Sequence, residues 1–456
     1  MEIDVLAVGA GACGLAAAIA AHDEGMTVAV SEKLERPGGN TALSTGSVPG
    51  ARSRFQRAAG ISDSPEQMLE DYVRTAGAHD VPEVMKRLVD ISAPLCEWLV
   101  DRVEARMDVI ADYCHVGHSV PRLHAPHSRR GKDLFDDLLR ATEKRGIPVV
   151  LGNPVRELIT DDRGAVAGIV AGGDRASTSR IRVKKLVLAC NGFAANRELV
   201  RKHCPEIADA QYFGALGSTG EAVLWGSRIG AALANMGAYQ GYAAVAYPHG
   251  QLLSWTTIEK GGILVNQRGQ RFGDEMLGYS GYARDVLAQR DNVYAIFDHR
   301  ISYVAAGEEE FRELIDYGGV KSAATVEALA APSSLPVGAL AATIEEYGAA
   351  ARREQPDRFG RSAFGLAPLK PPYWICQVVP GLFHTQGGLK VDGDARVLSV
   401  EGTPIPNLYA GGGAAAGISG RTGGSGYLSG NGLLSALGLG WLAGRAAANE
   451  VKAGQY

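Results

Sequence analysis

The chain predicts an α/β fold, and three stretches of its 456 residues carry that expectation. Residues 3–8 form a short apolar run, 15–24 are Ala-rich and helix-forming, and 27–31 are apolar again, which reads as strand, helix, strand. Gly9, Gly11 and Gly14 punctuate the first strand-to-helix turn. From about residue 381 Gly-rich loops return and close on a helix over 431–452.

The elements between follow the same logic. Residues 65–76, 81–101 and 132–145 have helical periodicity, and the charged, histidine-bearing stretch 112–130 reads as a connecting loop. Residues 155–159, 165–170 and 180–188 are apolar-rich strands separated by turn residues, which predicts a small antiparallel meander. From about Tyr242 the texture changes to short strands and turns, with a strand at 293–297 and helices near 325 and over 337–353. This is the expected second domain, and a chain of this length exceeds what one core usually supports.

Composition narrows the function. The apolar fraction of 46% and charged fraction of 21% are ordinary, while 59 glycines are an excess that needs a structural use. A net charge of −4 without a basic stripe gives nucleic acid or an anionic membrane nothing to hold. Six scattered cysteines fit a reducing compartment. The first residues lack a basic segment before the apolar run, and the uncharged stretch 432–444 is too short to span a bilayer, so a cytoplasmic protein without membrane insertion is expected. His115, His118, His124 and His127 sit in a loop among Pro, Ser and Arg and not on a helix face, so no metal site is expected there.

Gly9, Gly11 and Gly14 form G-x-G-x-x-G where a strand meets a helix, and Glu32 closes the second strand. Glycines permit close approach of a pyrophosphate to the helix N-terminus, and the acid accepts from a ribose hydroxyl. That pattern serves NAD and FAD alike. The stretch Arg36-Pro37-Gly38-Gly39-Asn40-Thr41 and the strand-to-glycine passage Asn407-Leu408-Tyr409-Ala410-Gly411-Gly412-Gly413 favour FAD, because a long flavin needs backbone amides on a second face.

With these motifs in place, the chain resembles the fumarate reductase/succinate dehydrogenase flavoprotein family, including its 3-ketosteroid dehydrogenase relatives, over nearly its full length. The matching stretches include VGAGACGLAAAIAAHDEG, RPGGNTALSTG, KKLVLACNGFAANRELV, GGILVNQRGQRFGDE, HTQGGLKVDGDARVLSVEGTPIPNLYAGGG and SGNGLLSALGLGWLAGRAA. The resemblance implies an FAD-binding Rossmann-like domain of the glutathione-reductase type, built from residues 1–242 and 381–456, with an inserted α+β cap domain over 243–380. It implies FAD contacts at Gly9, Gly11, Ala12, Gly14, Glu32, Lys33, Gly38, Gly39, Asn40, Thr41, Gly46, Val155, Gly192, Gly412, Gly413, Asn431, Gly432 and Leu433. Gly413 stands where the family often has an acid. No histidine lies in 38–48, where some members attach FAD covalently, so non-covalent FAD is expected.

The resemblance also implies where substrate is handled. Two arginines that clamp a dicarboxylate in fumarate reductases fall, by register, on Tyr279 and Tyr427. A guanidinium fork suits a carboxylate, whereas a phenol offers one donor to a ketone oxygen and relays one proton. The chain is therefore expected to dehydrogenate, or in reverse reduce, the C–C bond beside a ketone, with a cyclic ketone or 3-ketosteroid as the class. Tyr279 is the expected acid/base, Tyr427 the donor to the carbonyl oxygen, His384 a substrate contact, and Gly430 part of the substrate-binding turn. Arg421, in RTGG, keeps a second reading open, a soluble fumarate-reductase-like reductase of an unsaturated carboxylic acid. A flavin-binding protein without turnover is the third. The electron partner is left unassigned.

Overall fold

The computed structural model describes residues 3–173 and 178–456. The chain divides into two compact units, the first made of Met1–Pro205, Gly214–Gln240 and His384–Tyr456, the second of Glu206–Phe213 and Gly241–Phe383.

The first unit is organised on a mixed sheet. Ile3–Val8 is its central strand, parallel to Val28–Ser31 on one side and Ser179–Leu188 on the other. Val149–Val150 extends one edge in parallel, and Pro404–Ala410 joins Ser179–Leu188 in parallel at the other. The sequence-distant C-terminal strand thus completes the N-terminal sheet. Strands over Val155–Thr160 and Val166–Ala171 form an antiparallel hairpin added to Ser179–Leu188. Val28–Ser31 is buried along its whole length, as a parallel strand covered on both faces must be.

The helix Ala12–Asp23 is buried on every side from Ala12 to Ala21, and its small residues let the C-terminal helix Asn431–Lys452 come close. A Cβ on Gly440 would meet the Cys13 carbonyl at 2.3 Å, and one on Gly444 the Ala17 carbonyl at 2.3 Å. Part of the glycine excess is this one-turn-spaced contact between helices. No described helix is long and apolar enough to cross a membrane.

One expectation fails locally. The stretch 112–130 contains a strand, Leu123–Pro126, pairing antiparallel with both Val48–Pro49 and Met107–Val109. Leu123 and Ala125 bury with Ile110 in a small satellite core, a burial that the surrounding His, Pro and Arg hide from periodicity.

In the second unit Val293–Asp298 runs antiparallel to Ile263–Asn266 and to Tyr373–Thr385. Lys321–Ala323 and Gln211–Tyr212 pair with the same long strand. Helices Val326–Ala330 and Val337–Ala351 belong to this unit.

Candidate functional site

The cradle begins where the first strand ends. Gly9 has φ 113°, and a Cβ there would lie 2.4 Å from the Ala189 carbonyl oxygen. A Cβ on Gly14 would lie 1.9 Å from the Gly9 oxygen, whereas at Gly11 the nearest atoms are 3.7 Å away. Two of the three glycines thus serve backbone packing, and Gly11 leaves room in front of the helix. Gly11 caps that helix without a side-chain bond, so its first turn keeps N–H groups for an anion. The Ala12 N–H donates to Thr41 Oγ1 at 3.0 Å and holds the 38–41 loop.

Glu32 accepts from the Ala10 N–H at 2.8 Å through one oxygen and from the Leu34 N–H at 2.9 Å through the other. Each oxygen keeps a lone pair for a ribose hydroxyl. Asn153 donates its N–H to the Glu32 carbonyl at 2.9 Å, which tethers the approach to Val155. Lys33 turns to an ion pair with Glu221 and a 2.7 Å bond to Thr219, so its side chain serves the fold. Asn40 Oδ1 accepts the Ala215 N–H at 2.7 Å. Gly38, Gly39 and Gly46 all have positive φ, the backbone that lets amides point inward.

At the other end of the cradle, Thr385 Oγ1 accepts the Phe193 N–H at 3.0 Å and would lie 2.4 Å from a Cβ on Gly192. A Cβ on Gly413 would lie 2.4 Å from Asn191 Oδ1 and 2.7 Å from the Gly192 nitrogen. The glycine at 413 is thus required by its neighbour, and no acid fits there. Gly412 has φ 58°, and Leu433 is buried. Asn431 is fully buried; its Nδ2 donates to Ser419 Oγ at 3.1 Å, and its Oδ1 has no partner. An unpaired buried acceptor beside the uncapped start of a 22-residue helix fits a bound group with its own N–H donor, which the pyrimidine edge of a flavin supplies.

His384 and Tyr427 meet over that helix start. Their rings are 5.9 Å apart and edge to face, and a Cβ on Gly432 would lie 3.3 Å from His384 Nε2 and 3.8 Å from the Tyr427 hydroxyl. Gly432 is thus the floor between two polar tips. Burial drives the His384 pKa down to about 4, only partly offset by the Thr385 carbonyl, so the ring is neutral near pH 7. Nδ1 donates to the Thr385 carbonyl at 3.2 Å, which leaves Nε2 as an acceptor. Gln386 Nε2 lies 3.4 Å from both ring nitrogens, a spacing no in-plane bond gives to both, so the amide stands over the ring face. Neither Gln386 nor Thr385 is singled out by sequence, although both lie in the HTQGG stretch.

In the second unit Tyr279 belongs to an aromatic group, 5.1 Å from Tyr242 and 6.4 Å from Trp255, with Phe383 5.8 Å from Tyr242. Burial raises the Tyr242 pKa, and its hydroxyl donates to the Leu253 carbonyl at 2.9 Å. Four residues before Tyr279, Glu275 is fully buried between two arginines, taking Arg271 Nε and Nη2 at 2.9 and 2.7 Å and Arg361 Nη1 at 3.1 Å. Arg271 also donates to Asp357 at 2.5 Å.

Arg421 has a partner of its own: its Nε donates to Asp80 at 2.5 Å, with 58% of the side chain exposed. Gly430, at φ 84°, forms the turn into the C-terminal helix. No group of three or more His, Cys, Asp or Glu placed for a metal occurs among the described residues.

Residues 4–433 match the FAD binding domain family. The chain is 33% identical over 455 residues to the NADH:fumarate oxidoreductase of Klebsiella pneumoniae, covering 98% of this chain and 48% of that protein, so it spans about half of that relative's length. It is 28% identical to the 4-oxocyclohex-2-ene-1-carboxylate 5-dehydrogenase of Sinomonas cyclohexanicum, with 98% and 93% coverage. Among solved structures, a flavocytochrome c3 fumarate reductase in an open conformation matches with TM-score 0.81 at 28% identity, over 98% of this chain and 78% of that one. The 3-ketosteroid-Δ4-(5α)-dehydrogenase of Rhodococcus jostii, in complex with 4-androstene-3,17-dione, matches with TM-score 0.77 at 28% identity and coverage of 98% and 97%.

Proposed function

The chain belongs to the FAD binding domain family, as an FAD-dependent oxidoreductase of the fumarate reductase group acting on CH–CH bonds, and from that premise we propose that its substrate is a ketone. It introduces, or in reverse removes, a C–C double bond conjugated to the carbonyl of a small cyclic ketone or a 3-ketosteroid. FAD, bound without a covalent link, is the hydride acceptor or donor.

The observation that carries this reading is the state of the arginines. Those buried among the described residues are Arg122, Arg271 and Arg361. Each is already paired with a carboxylate: Arg122 with Asp63 and Asp71, Arg271 with Glu275 and Asp357, Arg361 with Glu275. A dicarboxylate clamp needs guanidinium groups whose charge is not yet met. Tyrosines supply the other chemistry. Tyr279 removes the proton from the carbon beside the carbonyl, and Tyr427 donates to the oxygen as enolate charge develops. Neutral His384 offers an acceptor to a hydroxyl, not a counter-charge to a carboxylate. The cyclic keto substrates named for the Sinomonas and Rhodococcus proteins support the class.

A second reading, reduction of an unsaturated carboxylic acid, is favoured by the likeness to the Klebsiella protein and requires Arg421 to leave Asp80. Stopped-flow mixing separates the two. Oxidised protein should be bleached by saturated cyclic ketones, and reduced protein reoxidised by the matching enones faster than by fumarate. Rapid reoxidation by fumarate alone overturns the ketone assignment, and no reaction with either supports binding without turnover.

A further inference from the structure

Within the first unit, the histidine-bearing stretch 112–130 is anchored on a buried charge network that ends at the Tyr427 loop. Arg122, its side chain fully buried, donates from Nε and Nη2 to the two oxygens of Asp63 at 2.8 and 2.7 Å. Its Nη1 donates to Asp71 Oδ2 at 2.8 Å, and the same oxygen takes the N–H and hydroxyl of Ser119 at 2.8 Å. Nη1 also lies 3.1 Å from His118 Nδ1. A guanidinium only donates, so Nδ1 is the acceptor and the proton of neutral His118 sits on Nε2. That Nε2–H donates to the carbonyl of Ser429, 311 positions along the chain, at 2.8 Å.

Ser429 is held on its other side too. Its N–H donates to the Val116 carbonyl at 3.2 Å. Gly117, at φ 87°, fits against Leu428, whose Cγ would be 2.6 Å from a Cβ at 117. Residues 116–118 therefore grip both backbone polar groups of Ser429 and the side chain of Leu428, between Tyr427 and the Gly430 turn.

We propose that His118 is a positioning residue for Tyr427: by holding the Ser429 carbonyl it fixes where the Tyr427 hydroxyl stands over the start of the C-terminal helix. The role rests on the reading of Tyr427 as the donor to the substrate carbonyl. Arg122 and its two aspartates act one step further back, by fixing the His118 tautomer and ring plane.

His118→Asn and His118→Gln separate this role from support of the fold. Asparagine keeps an acceptor near Nδ1 for Arg122 but is too short to reach Ser429, whereas the glutamine amide reaches the Ser429 carbonyl. His118→Asn should lower kcat by roughly ten- to a hundred-fold, the scale of a misplacement of about 1 Å, with KM and FAD content unchanged. Amide hydrogen exchange at 427–430 should quicken in the same variant. His118→Gln should restore both. Unchanged exchange in both variants, quickened exchange with native kcat, or no rescue by glutamine overturns the proposal. If His118→Asn does not fold, Gly117→Ala displaces Leu428 and should show the same kcat loss at constant KM; native kcat there overturns it as well. Rates are taken with 2-cyclohexen-1-one or fumarate, whichever the wild type reduces. Failure of the ketone reading then appears in the wild type alone, and the exchange measurement needs no substrate.

Discussion

A buried ion network lies close in sequence or contact to each of the two tyrosines, and the two networks are centred on ions of opposite sign. In the first unit one arginine, Arg122, sits between two carboxylates, Asp63 and Asp71. In the second, one carboxylate, Glu275, sits between two arginines, Arg271 and Arg361. The first reaches the tyrosine loop through a neutral imidazole and a backbone carbonyl, the second through chain continuity across the short turns Glu275–Leu277 and Gly278–Gly281. The difference teaches where rigidity comes from. Around Tyr427 it is imposed by a partner distant in sequence, around Tyr279 by the residues immediately before it.

The hardest blow to this comparison comes from the tyrosines themselves. Tyr279→Phe keeps the ring in its aromatic group and removes only the hydroxyl, so turnover should fall about 10²- to 10⁴-fold with FAD content intact, measured as kcat per bound flavin. Near-native turnover would remove the chemical reason for the network behind it. Glu275→Gln leaves buried Arg361 without a carboxylate and Arg271 with Asp357 alone, and should cost about 3–5 kcal/mol in denaturant unfolding, followed by probes in the second unit. A loss confined to the surface scale would show that Asp357 alone neutralises the pair.

Acid should separate the units. His115, His118, His124 and His384, all in the first unit, are held down to about 4 by burial. Unfolded, they bind protons near pH 6.5 that the folded chain refuses, so the unfolded state gains protons as pH falls. Stability should decline from about pH 6.5 toward 4 and stop losing ground to these groups below that, read as Tm against pH. A flat Tm across this window would mean the rings are hydrated.

Smaller effects sharpen the picture. Glu32→Gln should weaken FAD binding by roughly 1.5–3 kcal/mol in a titration of the apoprotein, because a charge-assisted acceptor is lost. Arg421→Ala should change stability by about 0.2–1 kcal/mol and leave kcat untouched, as for an exposed ion pair. A large fall in kcat would instead mean that Arg421 leaves Asp80 to meet a carboxylate.

Much of the fold was legible in the residues. Ile3–Val8 and Asn431–Lys452 lie where their apolar patterns place them, because buried elements impose a clear pattern on the residues. The strand Leu123–Pro126 was not, since its few buried positions are interleaved with His and Pro. Within the site, the glycines and Glu32 announce themselves by spacing. The His118 contact with Ser429 and the Gln386 amide over His384 do not, because tautomers and ring faces leave no mark on residue order.

The contact between Asn191 and Gly413 reaches beyond one molecule, into the paths open to its descendants. A side chain at 413 would begin 2.4 Å from Asn191 Oδ1, and Asn191 itself holds a left-handed φ of 68°. An acidic residue is therefore out of reach by any lone substitution at 413. Randomising that position alone should return glycine, and exchanging Asn191 for glycine should not by itself admit an acid, because the Gly192 nitrogen would still lie 2.7 Å from the added carbon. Position 413 stays closed to every side chain until the backbone of 191–192 itself moves, so its history is tied to a main-chain path and not to one neighbour.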